Sequence, residues 1–346
     1  MSDAKPSHVF ICRNYNHLLQ AILFALSEKQ KTAVFLCVDD FITSDRINLR
    51  DTDLIEFHTI NHNRACRPIF FVIGDKKMTQ DDILACRYLY DEDITVHAYS
   101  DAKPYSFFNR DDILMHDDGD TSYWRENGKL AHTEYYTTYR TVLQQLPADY
   151  DRKRDRKVKV WDHIDILKNL SDEDKETIKY IFQTPTFSPG EKSLLFLPRR
   201  TNNNDGIKSE ARERLFKLSD ELVADLEAEG WELWVKPHPG DDKIPDNRDG
   251  LRFIPAYLPV ELLDWCLDAP FTAAVSVRSR CLDFVPTTVA KETYNAISCP
   301  AAKELTQGKH QDPAYIYIRG LQKIASKFLK NEERLNYWES LTTESN

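Results

Sequence analysis

Two short stretches combine residue types that can move a proton and hold an anion. Residues 231–239 read Trp-Glu-Leu-Trp-Val-Lys-Pro-His-Pro, an apolar run that ends abruptly in Lys236, His238 and two prolines. Residues 113–119 read Ile-Leu-Met-His-Asp-Asp-Gly, a second apolar run that ends in Asp117 and Asp118. In open α/β sheets, ligands bind just outside the carboxyl ends of strands. A lysine there supplies fixed positive charge, and a histidine supplies a donor or a proton near neutral pH, so the first stretch suits a phosphate. A carboxylate at a strand end can act as general base on a hydroxyl. An opposing lysine and histidine can hold a phosphate leaving group and neutralise its developing charge. Gly119 lets the backbone turn sharply beside the acids. Together the two stretches fit group transfer from a nucleotide-activated donor to an alcohol. Taken singly, each also reads as a solvated loop or an ordinary Asp-Asp-Gly turn.

The elements that must carry these residues alternate along the chain. Strands are expected at His8–Cys12, Thr32–Val38, Leu54–Ile60, Pro68–Ile73, Ile94–Tyr99 and Asp112–His116, with helices at Leu18–Leu26 and Thr79–Tyr90. From Trp124 to about Phe187 the pattern becomes helical and charged, with Tyr135, Tyr136 and Tyr139 as a helical aromatic stripe and 149–159 as a solvated charge run. Thr184–Gly190, with two prolines and a glycine, reads as an interdomain linker. A second alternating unit follows: strands at Ser193–Leu197, Glu232–Val235, Leu251–Ile254 and Ala273–Val277, helices at Lys208–Gly230 and Val260–Asp268, and an amphipathic helical tail from Ala314 to Leu341. Strands alternating with helices argue for parallel sheets. The expected fold is therefore α/β, with two doubly wound parallel-sheet domains facing across a cleft. Residues 1–185 form the acceptor-side domain, 186–313 the donor-binding domain and 314–346 a C-terminal helical segment.

Composition narrows the function classes. The chain has 346 residues, 41% of them hydrophobic and 29% charged, which suits a globular protein of about two domains. A net charge of −10 argues against nucleic acid as a partner. An anion site must then be locally basic, and Lys236, Arg199 and Arg200 are the candidates. Seven cysteines form no CxxC pair, which speaks against a zinc site and for a reducing compartment. The N-terminus has no apolar signal core, and no apolar run approaches the roughly 20 residues that span a bilayer. A cytoplasmic location with at most peripheral membrane contact is expected. There is no Walker loop, GxGxxG fingerprint or GxSxG elbow, which disfavours kinases, dinucleotide enzymes and serine hydrolases.

The paired motifs resemble the acidic-acidic-Gly and His-Pro motifs of bacterial sialyltransferases with two Rossmann-like domains (the GT-B type). The nearest is glycosyltransferase family 52, the lipooligosaccharide sialyltransferases, related to families 38 and 80. The stretches that carry the resemblance are Ile113–Gly119, Trp234–Pro239 and Phe253–Leu263, in family order between positions 113 and 281. The first hundred residues match only in overall pattern. The resemblance implies an inverting displacement at the anomeric carbon of CMP-sialic acid, without a required metal or other cofactor. It implies a glycan acceptor, galactose-terminated, lipid-linked or a surface polysaccharide, as in lipooligosaccharide or capsule synthesis. Asp118, or else Asp117, would deprotonate the acceptor hydroxyl. His238 would bind the departing phosphate, Lys236 would add charge, Pro239 would shape the turn, and Glu261 would hold the cytidine ribose. Glu261 also reads as a helix first-turn acid favoured by the macrodipole.

The chain departs from the family at one place. The adjacent hydroxyl pair that donates to the phosphate is replaced by Ser276 and Ser279, three residues apart, with Ser279 the better match and Arg278 or Arg280 as possible substitutes. Other cytidine-activated donors, CMP-Kdo or CDP-glycerol, therefore stand as alternatives, as does a non-catalytic nucleotide- or glycan-binding module. Asn14, Tyr15 and His17 follow the first strand and can touch donor or acceptor; a polar helix cap with a surface aromatic explains them equally well. Tyr123 and Trp124 can stack on a sugar ring or equally be ordinary core residues, and Arg199 can meet phosphate or a sugar carboxylate. His116, beside two carboxylates, is expected to have a raised pKa that tunes the base, whereas as a buried strand histidine it would do nothing of the kind. The sequence carries no signal of oligomeric state.

Overall fold

A computed structural model describes residues 5–37, 47–60, 79–99, 114–116, 135–137, 158–160, 163–198, 209–237, 251–277, 279, 282, 285–297 and 313–341. The chain divides into two compact units, Met1–Gln183 and Thr184–Asn346. The expected strand at Pro68–Ile73 lies outside the described residues.

The first unit is built on a seven-stranded parallel sheet. Its strands are β1 (His8–Cys12), β2 (Thr32–Cys37), β3 (Ile55–Ile60), β4 (Thr95–Tyr99), β5 (Leu114–His116), β6 (Tyr135–Thr137) and β7 (Val158–Val160), in the order β3-β2-β1-β4-β5-β6-β7. Every pairing is parallel. In β2 all six residues are buried, the signature of a strand covered on both faces. Between β1 and β2 runs α1 (Tyr15–Glu28), which starts three residues before the apolar run suggests. The reason is Asn14, whose carboxamide oxygen accepts from the backbone N–H of His17 and caps the helix. Leu18, Leu19, Ile22 and Leu23 of α1 are fully buried, each worth about 2 kcal/mol of transfer free energy. The helix ends where Lys29 takes the left-handed conformation. The remaining helices are α2 (Gln80–Leu89), α3 (His163–Asn169) and α4 (Asp172–Phe182). Ser171 caps α4 and three acids fill its first turn, favourable against the helix dipole.

Two expectations for this unit are corrected. Tyr135–Thr137 is a strand between β5 and β7, and Val158–Val160 is a strand at the end of the charge run. Aromatic and β-branched residues favour an extended, pleated backbone, and here the open flank of β5 supplies the partner groups.

The second unit repeats the strand order. Its strands are β8 (Ser193–Phe196), β9 (Glu232–Val235), β10 (Arg252–Phe253), β11 (Ala273–Ser276) and β12 (Thr293–Asn295), ordered β10-β9-β8-β11-β12 and all parallel. The long helix α5 (Ser209–Ala228) joins β8 to β9 and ends at Gly230, whose φ of 80° only glycine adopts without strain. Residues Val260–Trp265 form a short 3-10 helix, where a longer helix to Asp268 is expected from sequence. Backbone pairing ends it: Phe187 N–H donates to Cys266 O, and Asp268 N–H donates to Phe187 O.

The tail is two helices, α6 (Pro313–Phe328) and α7 (Glu332–Ser340), divided at Asn331, which caps α7. Helix α6 packs on α5 and buries Leu321, Ile324 and Ala325 completely. Gly320 sits against Val277 so closely that a Cβ would stand 2.3 Å from its Cγ1. Asp225 of α5 holds α7 by accepting from Arg334 Nε and Trp338 Nε1, both at 2.7 Å. Both units are thus mixed α/β with parallel sheets. No described helix is long and apolar enough to cross a membrane.

Candidate functional site

Doubly wound sheets have a switch point where the connections change direction. In the first unit it lies between β1 and β4, and in the second between β8 and β11. The carboxyl ends of these strands and their neighbours are where each sequence motif falls.

In the second unit, β9 runs directly into Lys236. The Lys236 N–H donates to Phe196 O at 3.0 Å, and Val235 O accepts from Ile254 N at 2.9 Å. The chain that delivers His238 and Pro239 is therefore held from both sides up to its last step. Lys236 is only 9% exposed, an unusual place for an ammonium group, which normally stays in water unless it meets a partner. His238, Pro239, Arg199, Arg278 and Arg280 lie outside the described residues.

Across the switch point, Ser276 ends β11 fully buried, and its hydroxyl donates to Leu197 O at 2.6 Å. That proton is committed to the sheet, so a phosphate there would have to draw its hydroxyl donor from Ser279. Ser279 is half-buried, and its carbonyl accepts from Asn295 Nδ2 at 3.1 Å. Glu261 stands in the first turn of the 3-10 helix and is half-buried.

In the first unit, Asn14 and Tyr15 follow β1. Asn14 is a cap, as one of its two sequence readings has it, and its Nδ2 also lies 3.0 Å from His17 Nε2. Tyr15 is buried, not a surface aromatic. His17 lies flat on the ring of Tyr99, with centroids 3.5 Å apart, and Tyr99 OH donates to His17 O at 3.0 Å. The end of β1 and the end of β4 are so tied through the first turn of α1. Asp117, Asp118, Tyr123 and Trp124 lie outside the described residues.

His116 is the last described residue before the acid pair, and its environment corrects the expected pKa rise. It is buried against His97, Phe10 and Tyr99. Burial pushes its pKa down to about 3, with the nearby His17 acting in the same direction. His97 falls well below the ordinary histidine value for the same first reason, aided by His116 and His8. His8 is also lowered by burial, against the charge of Glu28, which works to raise it. Burial disfavours the charged imidazolium, and that desolvation is the first cause of each of these shifts.

These three histidines form one chain. His8 Nδ1 lies 2.9 Å from His97 Nε2, and His97 Nδ1 lies 2.8 Å from His116 Nε2. Sequence reading passed over His8 and His97. A signal was present, since each sits in an otherwise apolar strand, but their meeting depends on a register in which Phe10 pairs with His97 and Tyr99 with His116. Cys12, at the end of β1, is buried and its pKa is raised by that burial, so it is a packed thiol and not a nucleophile. Among the described residues, no group of three or more His, Cys, Asp or Glu side chains could hold a metal ion.

No family model matches the sequence, and no curated protein matches it. Among solved structures, the chain is similar to the crystal structure of Arabidopsis thaliana UGT89C1, at 8% identity, covering 87% of this chain and 82% of that one, with a TM-score of 0.37.

Proposed function

We propose that this chain is an inverting glycosyltransferase of the GT-B type that moves sialic acid from CMP-sialic acid to a hydroxyl of a glycan acceptor. One observation carries the reading. The same doubly wound strand order occurs twice, and in each unit a strand leads straight into one of the two reactive motifs. Strand β5 leads into Asp117-Asp118-Gly119, and β9 leads into Lys236-Pro237-His238-Pro239. Carboxyl ends of parallel strands are where such sheets bind ligands.

The reaction is a single displacement. The acceptor oxygen forms a bond to the anomeric carbon as the bond from that carbon to the CMP phosphate oxygen breaks, and the electron pair leaves with CMP. Asp118, with Asp117 as the alternative, takes the hydroxyl proton. Lys236 and His238 balance the charge that builds on the phosphate, and His238 can return a proton to it. Ser279 supplies the hydroxyl donor that Ser276 has spent on Leu197 O. Glu261 holds the ribose hydroxyls. The acceptor is a glycan presented at the inner face of a membrane.

The test is donor consumption by the folded protein, with CMP-sialic acid, CMP-Kdo and CDP-glycerol assayed separately against galactose-terminated acceptors. CMP release with sialic acid transfer is expected only from the first. Asp118→Ala should lower turnover about 100- to 10,000-fold, the usual range for a general base. Turnover of another donor alone would move the assignment to that donor. CMP binding without consumption of any donor would leave a nucleotide-binding module.

A further inference from the structure

Asn295, the last residue of β12, joins two observations that packing leaves unexplained. Its Nδ2 donates to Ser279 O at 3.1 Å, across the carboxyl end of the second sheet. Its Oδ1 is buried and meets no hydrogen-bond donor among the described residues. A carbonyl oxygen taken out of water without a donor costs free energy that an apolar side chain of the same shape would not. Leucine has nearly the same branched outline. What the carboxamide adds over leucine is its N–H group, and that group has a defined target.

The chain leading to that target is firmly held. Ser276 pairs with Asn295 in register, and the ladder continues past both strand ends. Ala296 N–H donates to Ser276 O and Ile297 N–H donates to Val277 O, each at 2.9 Å. On the other flank, Leu197 N–H donates to Val275 O at 2.9 Å, and the Ser276 hydroxyl returns to Leu197 O. Helix α6 closes on the same segment, since Gly320 sits where an added Cβ would collide with Val277. The backbone is thus fixed through Val277. Among the described residues, the bond at Val277 O is the last that the β12 backbone makes to it. Two residues further on, the Asn295 side chain catches Ser279 O.

We propose that Asn295 is a positioning residue for the donor phosphate, pinning the Ser279 carbonyl so that the Ser279 hydroxyl is in place before the phosphate arrives. This role rests on the reading of Ser279 as the hydroxyl donor to the CMP phosphate. Ser276 cannot share the task, because its own proton is committed to Leu197 O. A donor aimed at developing charge contributes most when it needs no reorganisation as the charge appears. Held at its own carbonyl, Ser279 keeps its backbone angles and hence the direction of its side chain. The buried Oδ1 is a local rule broken in exchange for that hold, which is the pattern expected at functional positions. Because Asn295 acts through Ser279, the two residues must be coupled in binding.

Titration calorimetry with CMP measures the coupling in the full-length protein, comparing the unaltered chain with Asn295→Leu, Ser279→Ala and the double variant. Thermal melts of each run alongside. Asn295→Leu should weaken CMP binding about tenfold to a hundredfold, the scale of outer partners that orient a binding group. Its melting temperature should hold or rise, because the buried oxygen leaves with the amide. Ser279→Ala should weaken CMP binding on the same scale. In the Ser279→Ala background, Asn295→Leu should change CMP affinity by no more than about twofold. Asn295→Gln keeps an N–H donor and should recover part of the affinity. A purely structural Asn295 predicts the reverse, a lower melting temperature with CMP affinity unchanged, and that result would overturn the role. Full additivity of the two substitutions would overturn it as well. If Asn295→Leu does not fold, Asn295→Ala enters the same cycle and additivity decides. An unaltered protein that binds no CMP would overturn the reading of the donor site and this role with it. CMP binding that depends on Ser279 and not on Asn295 would overturn this role alone.

Discussion

The two sheets share a strand order and differ in what fills their centres. In the second unit, Leu194, Leu195, Leu233, Ala274 and Val275 occupy the middle strands, and the buried polar side chains there are the short hydroxyls of Ser193 and Ser276. In the first unit, the same central positions hold His8, His97 and His116 among Phe10, Phe24 and Tyr99. An apolar centre gains stability from burial alone. A histidine centre gains it only while every ring stays neutral and hydrogen-bonded. The same topology therefore has a pH-indifferent centre in one unit and a pH-sensitive one in the other.

The largest consequence is acid sensitivity confined to the first unit. A histidine lowered in the folded state binds its proton only in the unfolded chain, whose value is near 6.5. The stability it contributes is fully present above that value and is lost as pH falls toward the folded value of about 3 for His116. By pH 3 the loss from His116 alone is on the order of 4 kcal/mol, and His97 adds to it in the same direction. Hydrogen exchange followed from pH 7 to pH 4 should show β1, β4 and β5 losing protection before β8, β9 and β11. Equal loss in both sheets would show that the contrast between the two centres has no energetic weight.

The second unit can be broken by packing where the first is broken by charge. Gly320→Ala places a Cβ 2.3 Å from Val277 Cγ1, with Val277 Cβ and Cγ2 at 3.1 and 3.2 Å. Overpacking of a close helix–sheet contact costs about 1–3 kcal/mol, more than the helix propensity that alanine adds. The double variant Gly320→Ala with Val277→Ala removes the obstructing methyls and should recover part of the loss. Denaturant melts of the single and double variants measure the difference. A neutral single variant would show that α6 can move away from the end of β11.

Much of this contrast was visible in the sequence, and its decisive part was not. Long apolar runs such as Thr32–Cys37 and capped helices such as α4 announce themselves, because burial on two faces and capping chemistry are local properties. Strands β6 and β7 have three residues each, one beside the aromatic pair and the other inside a charge run, and only their partners make them strands. The histidine row is harder still. Its members are 89 and 19 residues apart, and a shift of one residue in the β1–β4 or β4–β5 register would separate them. The expected pKa of His116 failed for the same reason, since its burial against Phe10, His97 and Tyr99 comes from strands distant in sequence. For the proposed donor site, residue types were legible in Lys236, Ser276 and Ser279, whereas the commitment of the Ser276 hydroxyl to Leu197 O needed the pairing of β8 with β11.

Helix caps offer a smaller test of the same division. Asn14 and Asn331 both accept from the N–H three residues on, at 2.8 and 3.1 Å. Asn331→Ala should cost about 1 kcal/mol, the ordinary worth of a cap. Asn14→Ala should cost more than Asn331→Ala, because Asn14 also meets the His17 ring, which is stacked on Tyr99. Paired thermal melts give both numbers. Equal losses would mean that the Asn14–His17 contact adds nothing to the cap.

The smallest effect lies at the outer strand of the first sheet and has the opposite sign from its centre. His58 on β3 stacks on Phe35, with its Nδ1 3.3 Å from Asp81 Oδ1 and its Nε2 3.6 Å from Glu56 Oε1. Burial opposes its charged form, but the two carboxylates outweigh burial and raise its pKa. Its stabilising contribution is therefore fully present below about 6.5 and is lost as pH rises through the higher folded value. The pairs are partly exposed, so the contribution is about 0.5 kcal/mol. His58→Gln should flatten that small decline between pH 6 and 8 and leave the acid-induced loss at β1, β4 and β5 unchanged. Should it instead alter the acid limb, the edge and the centre of the sheet would be coupled, and the row of His8, His97 and His116 would extend electrostatically across β2 to the edge.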